Sequence, residues 1–240
     1  MCGRFMLTSD QAEIAALFGV QTPHMIPERY NIAPTQPVLV IREADTQVFG
    51  TRGARELAAL EWNFVPEWAK EKNTKPLINA RVETIEAKPS FRSSIKRRRC
   101  LVPFNGWYEW KSVNGKKQPY FIQKVGANGL NELAAFAGVW STWHGPDGEF
   151  WLETFAIITA EATGPLRATH HRKPLVVKPA DYDRWLMPHD PLPPTFLKSF
   201  DWEAEGAFHS KPVSTRVNSI RFDDPACLNP PEEEKQPSLF

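Results

Sequence analysis

Cys2 stands directly after the initiator methionine, in the run Met1-Cys2-Gly3-Arg4-Phe5. Its small side chain is compatible with removal of Met1, after which the chain would begin with a 1,2-aminothiol. The amine of such a group has an ordinary pKa of about 7.7–8.0, so a useful fraction is neutral at pH 7, and the thiol, near about 8.5, is partly thiolate. Two reactions are natural to it. The thiol can attack an acyl carbon with the amine as base. Alternatively, the amine condenses with an aldehyde and the thiol closes a five-membered thiazolidine ring. Gly3 lets the backbone turn closely behind the nucleophile, Arg4 places a cation beside it, and Phe5 can anchor the segment in the core.

Further polar groups along the chain could take part in such chemistry. Glu109 lies between Tyr108 and Trp110. Burial on such a strand would raise its pKa toward values useful for proton transfer, whereas an outward-facing glutamate would do nothing. Asn79, in Ile78-Asn79-Ala80-Arg81, is an amide at the end of an apolar strand. It can orient a hydroxyl or thiol, or merely satisfy a local turn. His170 and His171 are adjacent. Neighbouring side chains diverge in an extended segment, so no metal site is expected from the pair.

These groups need a scaffold. The chain has 240 residues, 42% of them apolar, which is enough for a core. No apolar run reaches the roughly 18 residues of a membrane span, and the N-terminus has no apolar signal region, so a cytoplasmic location is expected. Three widely spaced cysteines and no CxxC disfavour disulfides and a cysteine zinc site. No cofactor is expected. Net charge is only +1, but Arg81 to Arg99 holds seven basic residues against two acidic ones. That points to a localised anion site or a solvated charged face. Twenty-two prolines favour short strands and loops over long helices.

Helices are predicted over Ser9–Phe18 with Ser9 as cap, Val82–Ala87, Ser90–Lys96, Ala180–Leu186 and Thr195–Phe200. Strands are predicted over Val38–Ile41, Gln47–Thr51, Ala58–Phe64, Cys100–Phe104, Leu133–Trp140, Phe150–Thr159 and Leu175–Val177. Trp107–Lys111 and Pro119–Lys124 flank Asn114-Gly115 as a β-hairpin, and Ala207–Val217 reads as extended. The fold class is α+β: a single β-rich domain over 1–227, with short flanking helices and a flexible acidic tail over 228–240.

Several blocks together resemble the SRAP family: MCGRF at 1–5, RYNIAP at 29–34, WNFVPEW at 62–68 leading into LINARVET at 77–84, GWYEW at 106–110, and THHRKPLVV at 169–177. They occur in family order. N-terminal-nucleophile glutamine amidotransferases also begin Met-Cys-Gly, but their isoleucine-rich first strand and glutamine-binding motifs are not found. The resemblance implies covalent capture of abasic sites in single-stranded DNA, through an imine and then a thiazolidine at Cys2. It implies that Glu109 positions the amine and shuttles protons, that His170 acts as general acid on the sugar, and that Asn79 orients the sugar or thiol. Arg4, Arg81 and Arg172 become candidate phosphate clamps, Asn31 and Pro34 candidate pocket linings, and Trp68 and Trp110 candidate base-stacking platforms. Lys96 to Arg99 could extend that track.

Departures from the family pattern are Asn63, Glu67 beside Trp68, and Lys173 in place of a methionine. Two other readings stay open: an N-terminal-cysteine hydrolase or self-processing peptidase, and a passive single-strand DNA reader. Separately, Gln236-Pro237-Ser238-Leu239-Phe240 resembles the short peptide by which bacterial proteins dock on the DNA sliding clamp. Such docking would make the protein nucleoid-associated.

Overall fold

The computed structural model describes residues 2–22, 25–44, 53–72, 75–126, 131–189 and 191–232. The first strand, β1 (Phe5–Leu7), is buried along its whole length and leads into helix α1 (Gln11–Phe18). The helix begins later than the expected Ser9. Asp10 is the N-cap, in a capping box with Glu13, while Ser9 is drawn into a buried network with Asn105. Gly19, at φ 63°, closes the helix in the left-handed region.

Next come β2 (Arg29–Ile32), β3 (Pro37–Glu43), β4 (Arg55–Glu61), β5 (Asn79–Arg81), the one-turn helix α2 (Ser94–Arg97) and β6 (Arg99–Phe104). The hairpin strands β7 (Gly106–Val113) and β8 (Lys116–Lys124) meet at Asn114-Gly115, both at positive φ as a tight hairpin turn requires. Then follow β9 (Ala134–Trp143), β10 (Leu152–Glu161), β11 (Arg172–Pro174), β12 (Val176–Val177), helix α3 (Tyr182–Leu186) and β13 (Phe208–Pro212).

One sheet has the order β13-β8-β7-β1-β2. In the other, β4, β3, β6 and β9 run side by side, and β10 pairs with both β4 and β9, so these five strands close into a ring. Closure removes free edges from the ring. The core lies between the two sheets. Phe5 packs edge-on against Trp62 and Phe136, and Phe104 stacks on Phe136 at 3.7 Å. The α+β, β-rich single domain expected from the sequence is the architecture found.

The corrections concern helices. Residues 82–87 form consecutive turns, with Thr84 N–H on Arg81 O and Ala87 N–H on Thr84 O. Pro89 lacks the donor that a continuing helix would need. Only Ser94–Arg97 of the expected Ser90–Lys96 helix forms, and 195–200 contains one short 3-10 turn, Leu197–Ser199. The extended reading of 207–217 holds for β13 and then gives way to a 3-10 turn at Thr215–Asn218. The whole of the expected strand Gln47–Thr51, Met1 and the Gln236–Phe240 motif lie outside the described residues.

Candidate active site at the buried N-terminus

Cys2 immediately precedes the buried strand β1 and is itself fully buried. Tyr108 N–H on Arg4 O extends the pairing of β1 with β7, whose register sets Phe5 opposite Trp107. Glu109 lies two residues further along β7. Alternation puts it on the face of Trp107, directed between the sheets, while Tyr108 and Trp110 take the other face. Its side chain is only 3% exposed. This is the inward orientation, not that of an edge-strand glutamate. Burial raises the Glu109 carboxyl to about 7.

Asn79 opens β5, which runs parallel to β10 with Asn79 opposite Ile157. Its Nδ2 donates to Cys2 O at 2.8 Å. Its Oδ1 is buried without a hydrogen-bond partner among the described residues, an acceptor of the kind that native structures rarely leave idle. Asn63 helps set this strand: Leu77 N–H donates to its Oδ1, just before β5 begins.

His170 stands at the end of a loop between β10 and β11. Its Nδ1 accepts the Arg172 N–H at 2.9 Å and lies 4.0 Å from Glu109 Oε1. Burial lowers the imidazole to about 4, so it is neutral at pH 7. The same Nδ1 lies 3.0 Å from Arg172 O, so the Arg172 backbone holds the ring through both its N–H and its carbonyl. The Cys2 thiol is pushed well above its ordinary value, first by burial and then by the Glu109 carboxylate. Four chain segments thus bring Cys2, Asn79, Glu109 and His170 to one place, where a carboxyl that titrates near neutrality faces a neutral imidazole.

The sequence-expected DNA contacts divide. Arg81 is exposed, two residues from Asn79 and on the same face of β5. Trp68 is 66% exposed. Glu67 beside it is paired with Arg98 at 2.6 Å, which neutralises the acid on that surface. Trp110 is partly buried, and its Nε1 donates to Asn218 Oδ1 at 2.7 Å. Pro34 is partly buried beside Thr35, which adopts a φ of 69°.

The others are spent inside the protein. Arg4 donates to Asn31 Oδ1 and to the backbone carbonyl of Val217. Asn31 is buried, and its Nδ2 donates to the carbonyls of Val217, Ser219 and Phe222. Arg172 makes a two-pronged pair with Glu83 at 2.7 and 3.0 Å and also donates to Thr159 O. Arg99, at the end of the basic run, is an internal strut that donates to four backbone carbonyls. It is therefore not part of an external track. Sequence reasoning missed Glu83, Asn105, Glu205 and Asp223. Each is a polar residue whose partners are distant in sequence, so no local pattern marks it.

The family model of the SOS response associated peptidase (SRAP) matches residues 1–220. The chain belongs to the SRAP family. Abasic site processing protein YoqW of Bacillus subtilis is 34% identical over 238 residues, covering 95% of this chain and 99% of the relative. Abasic site processing protein YedK of Escherichia coli is 33% identical over 192 residues, covering 78% and 79%. Abasic site processing protein HMCES of Gallus gallus is 33% identical over 225 residues, covering 85% of this chain and 66% of the relative. Among solved structures, a Bacteroides thetaiotaomicron protein matches with a TM-score of 0.79 at 24% identity, covering 95% of this chain and 99% of the other. That likeness supports the SRAP fold. Among the described residues, no helix is long and apolar enough to cross a membrane.

Proposed function

We propose that this SRAP protein captures abasic sites in single-stranded DNA as a covalent adduct of Cys2, after loss of Met1. The observation that carries the reading is the convergence of Cys2, Asn79, Glu109 and His170. Abasic-site processing is the activity named for its relatives.

The α-amine nitrogen of Cys2 attacks C1′ of the ring-opened sugar. The carbinolamine loses one water and becomes an imine. The thiol then adds across the C=N bond, sulfur to carbon and proton to nitrogen, to close a thiazolidine. Bonds balance without an oxidant. Burial and the Glu109 carboxylate hold the thiol proton on, which favours the amine as the first nucleophile. Glu109, half ionised near pH 7, takes a proton from the ammonium and returns one to the departing hydroxyl. His170, neutral at pH 7, passes its ring proton to the sugar ring oxygen as the ring opens and takes one back from the Glu109 carboxyl 4.0 Å away. Asn79 fixes the Cys2 carbonyl and offers its idle Oδ1 to a sugar hydroxyl or the thiol. Arg81 takes a neighbouring phosphate, and Trp68 and Trp110 take bases.

The imine is also the point from which β-elimination of the 3′ phosphate starts, so thiol closure protects the strand and its failure gives lyase-type cleavage. The same carboxyl and imidazole could serve self-removal of Met1, the one peptidase step that this chemistry requires. Docking on a sliding clamp through Gln236–Phe240, and with it a nucleoid-associated cytoplasmic location, remains a proposal on residues outside those described. Titration of purified clamp with wild-type and Leu239→Ala/Phe240→Ala protein tests it; equal binding removes it.

The central test is intact mass, before and after mixing with an abasic single-stranded oligonucleotide, together with a glutamine-hydrolysis assay. The expected result is a chain lacking Met1 and a denaturation-resistant adduct of protein plus DNA minus one water. Glutamine hydrolysis without an adduct would replace this reading with the hydrolase one.

A further inference from the structure

The loop that carries His170 leaves β10 at Glu161 and returns in β11 at Arg172. Its two ends meet at one buried carboxylate, Glu205, which lies far away in sequence. Glu205 Oε1 accepts the Thr163 N–H at 2.9 Å, and Oε2 accepts the Gly164 N–H at 2.6 Å. Lys173, on the returning strand, places its Nζ 3.1 Å from Glu205 Oε1. The carboxylate is 6% exposed and the lysine 17%. Burial alone would raise this carboxyl, but the Thr163 N–H, Lys173 and the Gly164 N–H together hold it below its ordinary value.

From that anchor a short relay reaches the imidazole. Gly164 O accepts Arg167 N–H, opening the 3-10 turn Pro165–Ala168, and Leu166 O accepts the His170 N–H. Ala162 N–H on His171 O closes the base of the loop. Gly164 leaves room for the anchor: a Cβ there would sit 2.7 Å from Glu205 Oε2. On the other side, Lys173 adjoins Arg172, whose backbone N–H and carbonyl both hold His170 Nδ1.

We infer that Glu205 is the positioning residue for His170: with Lys173 as its counter-charge, it clamps both ends of the loop and so sets where the imidazole stands against Glu109 and the sugar. The inference rests on the proposed abasic-site chemistry and adds to it a role for two residues outside the pocket. Lys173, where the family pattern has methionine, then has a stated purpose. It neutralises a carboxylate that is buried for the sake of the loop.

The experiment compares adduct formation by wild-type, Glu205→Ala, His170→Ala and the double variant, with an abasic single-stranded oligonucleotide at saturating and subsaturating concentrations. Glu205→Ala should lower the saturated rate about tenfold to a hundredfold, the cost of a misplacement of about 1 Å, with the half-saturating DNA concentration unchanged. In the His170→Ala background the same change should cost less than about twofold, because the residue acts through His170. Gly164→Ala, which must displace the carboxylate without removing it, should reproduce the split if Glu205→Ala does not fold. An unchanged rate in Glu205→Ala or Gly164→Ala overturns the inference. So does a loss of equal size with and without His170, or a loss confined to DNA affinity. Failure of the wild type to form an adduct would instead sink the underlying chemistry, so the two failures are distinguishable.

Discussion

In the N-terminal pocket, polar side chains are buried and held near their neutral forms, and one amide has capacity to spare. Asn79 keeps an idle acceptor, and Glu109 and His170 stand 4.0 Å apart, each moved by burial toward its neutral form. On the flank beside β2 and residues 215–223, Asn31 is buried and Arg4 half-buried, but their capacity is consumed. Asn31 serves three carbonyls, and Arg4 serves Asn31 and a carbonyl. The flank behaves as masonry: its polar groups meet ready-made partners and hold the C-terminal segment against β2. The pocket holds its groups in place and leaves them something to do. Unspent polar capacity under burial costs stability, and on the proposed function it separates the groups that react from those that brace.

The strongest way to break this contrast is at Cys2. Cys2→Ala should leave the fold intact and reduce the stable adduct to background. Cys2→Ser keeps the amine, so a transient imine that borohydride traps should persist, with more strand cleavage than in the wild type. Both are read on denaturing gels. A stable Cys2→Ala adduct as abundant as the wild type would remove the mechanism.

The next effect is at His170. His170→Ala should slow adduct formation by roughly 10²-fold if the imidazole is the general acid. Non-covalent affinity for a DNA strand without the lesion should change much less. Equal losses in both assays would move His170 from the pocket to the masonry.

How much of this was legible in the sequence differs between the same two regions. The pocket was legible because its members sit in short motifs of unusual residue type: a cysteine after Met1, an amide among aliphatics, a carboxylate between aromatics. The strands followed from alternation and turn dipeptides, and the Asn114-Gly115 hairpin formed as read. The flank was not legible. Whether Asn31 lines a pocket or ties down backbone carbonyls depends on partners 186, 188 and 191 residues away, and an amide alone is silent on that. The turns over 82–87 are hidden in the sequence for a related reason. The apolar spacing there suits a helix, but Ile85 reaches the core from a run of turns.

Glu109 allows a quantitative sharpening through stability. Its folded pKa is raised from 4.5 to about 7 by burial, so the folded state holds its proton more tightly than the unfolded chain. The stabilising contribution is full below about pH 4.5 and is lost as pH rises through about 7. At pH 8 the ionised, buried carboxylate should weaken the fold by about 3 kcal/mol relative to acid conditions. Glu109→Gln removes that dependence. Thermal melts should therefore favour the variant over the wild type more at pH 8 than at pH 5. A difference that does not change with pH would mean that Glu109 does not titrate in this window, and its role as proton shuttle would fall with it.

The smallest effect concerns the arginines, and it tests the contrast from the outside. Arg172 is bound to Glu83 and Thr159, whereas Arg81 is exposed with no ion pair among the described residues. A guanidinium held by buried partners contributes to the fold, and a solvated one is available to phosphate. Arg172→Ala should therefore lower stability by about 2 kcal/mol, the scale of hydrogen bonds to a charged group. In a chain of this length that is a melting shift of roughly 4–8 °C. Arg81→Ala should leave the melting temperature within about 1 °C and act on DNA alone. Each phosphate contact on a single strand contributes about −0.7 to the log–log dependence of affinity on salt, so losing Arg81 should flatten that slope by about 0.7. The two measurements cross-check each other. If Arg172→Ala flattened the slope without touching stability, Glu83 would have to surrender the guanidinium when DNA arrives, and Arg172 would join Arg81 on the binding face. If Arg81→Ala left the slope unchanged, the phosphate track would lie elsewhere, with the exposed Lys88 and Arg92 the next positions to replace.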